Sequence, residues 1–228
     1  MIFPFFMHFS FFSQMSIVSC MHQTLNKRYV LVMNMKTFFI SIRILHFTMN
    51  WYFSIWILFV VRKKKKEITG VINAAGIASM NLAVTTPAGM TQKLIQTNLV
   101  GTIHSCQLFA PLMIRRKAGS IINFSTIAVA LGLKGESIYA ASKAGVEGFS
   151  RAFAREMADF DIRVNCVAPG PIKTDLLKGV SDEQIEAIVS QQVMPKIFQP
   201  GDVCDLCEFL LSPQSKSVSG QVLHVGGA

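Results

Sequence analysis

From Gly119 onward the chain alternates short apolar runs with longer stretches of helical spacing. Gly119-Ser-Ile-Ile-Asn-Phe124 predicts a short buried strand, which stops at the hydroxyls of Ser125 and Thr126. Residues 142–157 place Ala144, Val146, Phe149, Phe153 and Met157 close to a helical period. Residues 161–168 predict another strand, broken by Pro169-Gly170. Residues 91–116 and 139–157 predict two long helices, residues 203–211 a further one, and His224 falls in a closing strand. Strand, helix, strand is the unit of a parallel sheet with right-handed crossovers, so the pattern predicts an α/β, doubly wound parallel sheet. Ligands on such sheets bind at the carboxyl ends of the strands. Asn73, Ser125/Thr126 and Pro169-Gly170 all fall at those ends.

Candidate chemistry enters with Tyr139-Ala-Ala-Ser-Lys143. Residues i and i+4 share a helix face, roughly 5–6 Å apart at Cβ. An ammonium ~4 Å from a phenolate, at an effective dielectric of ~20, is worth about 4 kcal/mol. That predicts a phenol drawn down by roughly three units from its ordinary value near 10, into the range where a general acid works best.

Six segments, in order, carry a resemblance. They are Val71-Ile-Asn-Ala-Ala-Gly-Ile77, Asn98-Leu-Val-Gly101, Gly119-Ser-Ile-Ile-Asn-Phe-Ser-Thr126, Tyr139-Ala-Ala-Ser-Lys-Ala-Gly145, Val164-Asn-Cys-Val-Ala-Pro-Gly-Pro-Ile-Lys-Thr174 and Gly220-Gln-Val-Leu-His-Val-Gly-Gly227. With these, residues 67–228 resemble the short-chain dehydrogenase/reductase family, closest in flavour to the 3-oxoacyl-carrier-protein reductases. The resemblance implies a Rossmann-like, NAD(P)-dependent oxidoreductase acting on a carbonyl or alcohol. Its substrate would be a small molecule or an acyl group on a carrier. Tyr139 would be the general acid. Lys143 would lower its pKa and bind the nicotinamide ribose. Asn98 would hold a helical kink and a relay water. Asn73, Ala74 and Gly76 would shape the turn beside the adenosine half of the cofactor. Pro169, Gly170, Ile172 and Thr174 would face the nicotinamide. The resemblance also implies homodimers or homotetramers built on the two long helices, with Ala140, Ala141, Ala144 and Gly145 permitting close approach.

The family usually has Ser as its third catalytic group, about 13 residues before the Tyr. Here that count lands on Thr126, with Ser125 next to it. Thr keeps the hydroxyl but adds a methyl and a stiffer χ1. Thr126 is favoured in the role, Ser125 stays the alternative, and the bland reading is that either merely ends the strand.

The larger departure precedes these segments. Residues 1–66 contain no Gly, Ala, Asp or Glu, but hold 11 of the 18 Phe, both Trp and nine Lys/Arg. They therefore supply the whole +9 net charge of the 228-residue chain. The family's first strand and glycine-rich phosphate turn belong in this region, and no glycine occurs before Gly70. The first βαβ portion is not recognisable, its strand position reads as vacant, and the choice of NADP or NAD is not legible. An out-of-frame or non-coding stretch fits best, because these are the residues of AT-rich codons. A membrane anchor is the alternative: residues 38–61 are mostly apolar, with Arg43, His46 and Asn50 among them, and four lysines follow. A secretory signal fits poorly, and a divergent fold is the remaining reading. The expected location is cytoplasmic, with membrane anchoring through residues 38–61 as the alternative.

One domain suits the length. Cysteines 20, 106, 166, 204 and 207 do not form a disulfide framework, and Cys204-Asp-Leu-Cys207 reads as ordinary helix cysteines, with no metal site. The Lys63–Lys66 run has no accompanying nucleic-acid reader, so no nucleic-acid partner is expected. The missing glycines generate a prediction. Backbone N–H groups converge on a pyrophosphate only where no Cβ blocks the approach. Calorimetric titration of NADPH and NADH into this chain should show binding far weaker than micromolar. Stoichiometric micromolar binding would mean that residues 1–66 build a phosphate site of another kind.

Overall fold

The structure, a computed structural model, describes residues 68–172 and 180–228 together with the backbone of residues 30–33. Five parallel strands lie in chain order: β1 (Val30–Met33), β2 (Gly70–Asn73), β3 (Gly119–Phe124), β4 (Ile162–Pro169) and β5 (Val222–Val225). Between β2 and β3 run α1 (Ala88–Leu94), a π-helical segment (Ile95–Val100) and α2 (Gly101–Ile114). A short α3 (Ala128–Leu131) and the long α4 (Ser137–Ala158) join β3 to β4, and α5 (Asp182–Val189) and α6 (Pro200–Leu211) join β4 to β5.

The sheet is buried on both faces, as parallel sheets are, which is why its strands read as near-continuous apolar runs. Successive strand residues point to opposite faces. Val71, Ile121 and Val164 meet Cys106, Phe109, Ala110 and Met113 of α2 and Phe153, Ala154 and Met157 of α4. Ile72 and Ile122, the next residues along, and Val167, three beyond Val164, meet Val203, Cys204, Cys207 and Leu210 of α6 on the other face. The helices thus cover both sides, and the doubly wound α/β fold is as expected. Cys204 and Cys207 lie on the apolar face of α6, and burial raises the Cys207 thiol.

Inside this core runs one polar stitch. Asn73 and Asn123 are register partners on β2 and β3. Asn73 Nδ2 donates to Asn123 Oδ1 at 2.8 Å, and Asn123 Nδ2 donates to Ser150 Oγ at 2.7 Å. Ser105 Oγ donates to Asn73 Oδ1 at 2.5 Å. Each buried amide therefore finds partners, as burial demands, and α2, β2, β3 and α4 are tied at one level. At the opposite end of the sheet, Arg163 Nη1 donates to Leu210 O at 2.6 Å and to Ser215 Oγ at 2.8 Å. A cation on the last carbonyls of α6 is the favourable sign for a helix C-terminus.

Two expectations change. The first-strand position is not vacant: residues 30–33 pair in parallel with Gly70–Asn73, Val30 opposite Gly70 and Met33 opposite Asn73. The helix predicted over 91–116 is not continuous either. It starts at Ala88, ends at Ile114 and widens into the π segment around Asn98. Among the described residues no helix is long and apolar enough to cross a membrane, and residues 38–61 lie outside them.

Candidate active site

The site forms where β2, β3 and β4 end and α4 begins. Glu136 stands at the N-terminal boundary of α4 without a side-chain capping bond, Tyr139 in its first turn and Lys143 in its second. Tyr139 is 9% exposed, and its ring packs with Leu94 and Ala128. Thr126 is buried beside the start of α3, where its Oγ1 accepts from Ala128 N at 3.3 Å, and its hydroxyl acts on the phenol. Ser125 points elsewhere: its Oγ donates to Glu147 Oε1 at 2.6 Å, inside the protein. Glu147 Oε2 in turn accepts from Arg151 Nη2 at 3.3 Å. Of the two neighbouring hydroxyls, that of Ser125 is committed to Glu147, and that of Thr126 acts on the phenol.

Lys143 is 4% exposed, and its Nζ donates to Phe124 O, the last carbonyl of β3, at 2.8 Å. Burial lowers the ammonium to about 8, opposed by Cys166. Burial also pushes the Tyr139 phenol up to about 12; the Thr126 hydrogen bond opposes this and the Glu136 charge adds to it. The predicted lowering of the phenol by Lys143 is therefore not what the structure has. Desolvation wins, because taking a phenolate out of water costs more than one hydrogen bond returns.

Asn98 sits in the π segment with no exposure. Its Oδ1 accepts from Ile77 N at 2.9 Å, and its Nδ2 donates to Ile77 O at 3.0 Å and Ser142 Oγ at 2.9 Å. Ser142 Oγ donates onward to Tyr139 O at 2.7 Å. The Asn98 carbonyl accepts from Thr102 Oγ1 at 2.8 Å. The loop after β2 is thereby clamped to the turn of α4 that carries both Tyr139 and Lys143. Gly76 lies in that loop, where a Cβ would stand 3.2 Å from Lys143 Nζ and 3.4 Å from Asn98 Oδ1.

Asn73 and Ala74 are buried, and the Asn73 amide is engaged within the core, so these residues shape the turn from beneath. Pro169 O accepts from Ile127 N at 3.0 Å, and Gly170 N donates to Val225 O at 3.2 Å. Ile172 is buried and bridges to Phe198. A Cβ at Gly170 would collide with the Gln192 carboxamide. Thr174 lies outside the described residues.

Sequence reasoning missed three groups. Ser142 was legible, since it stands one residue before Lys143 on the face that turns toward Asn98. Glu136 was legible only as a charge three residues before the Tyr. Gln192 was not legible: its Nε2 donates to Lys196 O at 3.0 Å, while its buried Oε1 has no hydrogen-bond partner.

Residues 58–227 match the model of a family described as "Enoyl-(Acyl carrier protein) reductase". A 3-oxoacyl-(acyl-carrier-protein) reductase of Staphylococcus aureus is 38% identical over 157 residues, covering 69% of this chain and 64% of that enzyme's length. The corresponding reductase of Vibrio cholerae is 34% identical over 171 residues, covering 74% of this chain and 70% of that enzyme. Among solved structures, a 3-oxoacyl-(acyl-carrier-protein) reductase from Brucella melitensis superposes with TM-score 0.69 at 27% identity, over 76% of this chain and 68% of that one. A structure titled as a short-chain dehydrogenase/reductase family protein gives 0.67 at 29% identity, over 75% and 71%. The chain belongs to the short-chain dehydrogenase/reductase family. It stands close to the 3-oxoacyl-carrier-protein reductases within it.

The buried ammonium yields a signed prediction. Below pH ~8 the folded and unfolded chains both carry the Lys143 charge, and its burial weakens the fold. Between about 8 and the ordinary ~10.4 the unfolded chain holds a proton that the folded chain has released, so this contribution raises stability with pH. Lys143→Met should therefore be more stable than the parent at neutral pH, with an advantage that narrows across that window. The raised Cys106 thiol is common to both proteins and cancels; the Cys166 thiol, already raised to about 11 by burial, loses the lowering effect of Lys143 in the variant and so stays protonated across most of that window in both. Urea unfolding at several pH values measures the difference. A constant gap would mean that Lys143 titrates normally.

Proposed function

We propose that this chain is an NAD(P)-dependent oxidoreductase that reduces a carbonyl, or oxidises an alcohol, with Tyr139 as the proton donor. The observation that carries this reading is the buried phenol at the end of β3, one helical turn from a buried lysine and with the buried Thr126 hydroxyl acting on it. A phenol raised to about 12 keeps its proton at neutral pH, the state a carbonyl reduction requires of its acid. Thr126 would hold the substrate oxygen beside the phenol. As the oxygen gains negative charge, the Tyr139 O–H proton passes to it. Asn98 holds the Tyr139–Lys143 turn through Ser142 and is a positioning residue.

The residues present fit the nicotinamide-ribose end of a dinucleotide. An ammonium has three N–H donors, and Lys143 faces the Cβ-free side of Gly76, where a ribose hydroxyl could approach. Pro169, Gly170, Ile172 and Thr174 would line the nicotinamide. The bound cofactor, NADP or NAD, would supply the hydride. The pyrophosphate end would fall to residues 1–66, which offer no glycine. The names of the relatives favour a 3-oxoacyl group on an acyl carrier as the substrate.

Tyr139→Phe should abolish reduction, a loss of about 10²–10⁴-fold, in this chain or in one whose first 66 residues are replaced by a glycine-rich βαβ unit. Thr126→Ala should cripple the rate while Ser125→Ala should chiefly weaken the fold. Steady-state kinetics decides, and activity within a few-fold of the parent would remove the residue from its role.

We further propose that the chain forms homodimers or homotetramers through the exposed flank of α4. Ala141, Ala144 and Gly148 are exposed there, and a Cβ at Gly148 meets nothing. Gly145 serves another purpose, since its Cβ would lie 2.8 Å from Leu99 Cδ2 of the same chain. Light scattering should give a dimer or tetramer, reduced to monomer by Ala144→Arg. A folded parent that stays monomeric at micromolar concentration would end the idea.

A further inference from the structure

Residues 169–172, 192–198 and 225–227 meet at the carboxyl ends of β4 and β5, and one side chain stands among them. Gln192 follows α5 and is buried. Its Nε2 donates to Lys196 O at 3.0 Å, while its Oε1 is buried and has no hydrogen-bond partner among the described residues. That oxygen lies in the space that side chains at Gly170 and Gly226 would fill. A Cβ at Gly170 would collide with it and stand 3.0 Å from Gln192 Cδ. A Cβ at Gly226 would stand 2.6 Å from Oε1 and 3.1 Å from Cδ. Backbone bonds tie the same three stretches together: Gly170 N donates to Val225 O at 3.2 Å, and Met194 N to Gly226 O at 2.8 Å. Ile172 also bridges to Phe198. A buried acceptor left without a donor costs stability, so bonding at the oxygen does not account for this residue. Its shape does, because the end of the side chain fills the gap that two glycines leave.

We propose that Gln192 is a positioning residue: its carboxamide is wedged between the ends of β4 and β5 and sets where residues 169–172 lie. The proposal rests on the reading that this turn receives the nicotinamide end of the cofactor. Close-packed interiors pass the displacement of one group to those it touches. Gln192 reaches the turn at Gly170, so shortening the side chain would let the turn settle into the space vacated. The two glycines differ in what they report. Gly226 has a φ of 101°, which asks for glycine whatever its neighbours. Gly170 has no such φ, and the next atom a Cβ there would meet is Val225 O, at an ordinary 3.5 Å. Among the described residues the obstacle to a side chain at position 170 is therefore Gln192 itself.

A double-mutant cycle on the 228-residue protein tests the wedge. Gly170→Ala should lower the urea midpoint of the parent but change it little beside Gln192→Ala, where the added Cβ has room. If Gly170→Ala alone does not fold, it should fold once Gln192 is shortened. Additive shifts, or a double variant that stays unfolded where Gln192→Ala folds, would overturn the proposal. Should Gln192→Ala itself not fold, Gln192→Val takes its place throughout. A second readout follows the turn: saturation-transfer NMR with dihydronicotinamide riboside, a probe that needs no pyrophosphate site. At equal folded fraction Gln192→Ala should weaken riboside binding several-fold, which a loss of stability alone would not do. Gln192→Met, which keeps the length of the side chain, should bind the riboside as the parent does. Riboside affinity untouched by Gln192→Ala would remove the positioning role. A riboside that does not bind the parent would instead overturn the placing of the nicotinamide on residues 169–172, and the cycle would still decide whether Gln192 is what Gly170 makes room for.

Discussion

The arrangement of the site depends on one buried carboxamide. Asn98 holds both the N–H and the C=O of Ile77 and, through Ser142, the carbonyl of Tyr139. A regular α-helix advances 100° per residue, since it has about 3.6 residues per turn. The π segment widens that turn, and Asn98 is the one residue of the segment that is buried. π turns cluster at functional positions because a helix forms them only when something else holds them. Here the holding contacts are Ile77 on one side and α4 on the other. Leu99 follows on and fills the space beside Gly145, where a Cβ would lie 2.8 Å from it. Without these contacts the loop carrying Gly76 would lose its register against Lys143.

Charge and burial compete at the centre of that arrangement. A simple pairwise estimate from the spacing of Tyr139 and Lys143 favours a lowered phenol. The structure buries both groups and directs the ammonium to a backbone carbonyl, so each neutral form is favoured instead. For a proton donor this serves the chemistry, because the acid must arrive protonated.

Most of the fold from residue 68 onward was legible because strands buried on both faces leave continuous apolar runs, as Gly119–Phe124 does. The candidate catalytic groups could be picked out of the sequence because Tyr139, Lys143 and Asn98 sit inside dense local motifs. Ser125 and Thr126 could not be told apart along the chain, since adjacent residues point opposite ways and only packing shows that Ser125 is engaged by Glu147. The π segment was hidden for a related reason. No residue type in Ile95–Val100 marks one extra residue in a helical turn; what holds it, Asn98 against Ile77 and Ser142, comes from distant parts of the chain. Gln192 was hidden because its neighbours, Gly170 and Gly226, come from the ends of other strands.

The short strand at residues 30–33 separates two demands that one region of sequence normally meets together. Pairing beside Gly70–Asn73 asks only for an extended backbone with free N–H and C=O groups. Val-Leu-Val-Met, rich in β-branched and apolar residues, meets that easily. A pyrophosphate site asks for more: backbone N–H groups at a helix N-terminus, reached through positions without a Cβ. Strand formation is thus permissive in sequence, and phosphate binding is strict. A segment with no glycine can complete the first and still fall short of the second. Completion of the sheet at β1 therefore says that the catalytic half has a neighbour to pair with. It says nothing for cofactor affinity, because the atoms that pair a strand are not the atoms that hold a phosphate.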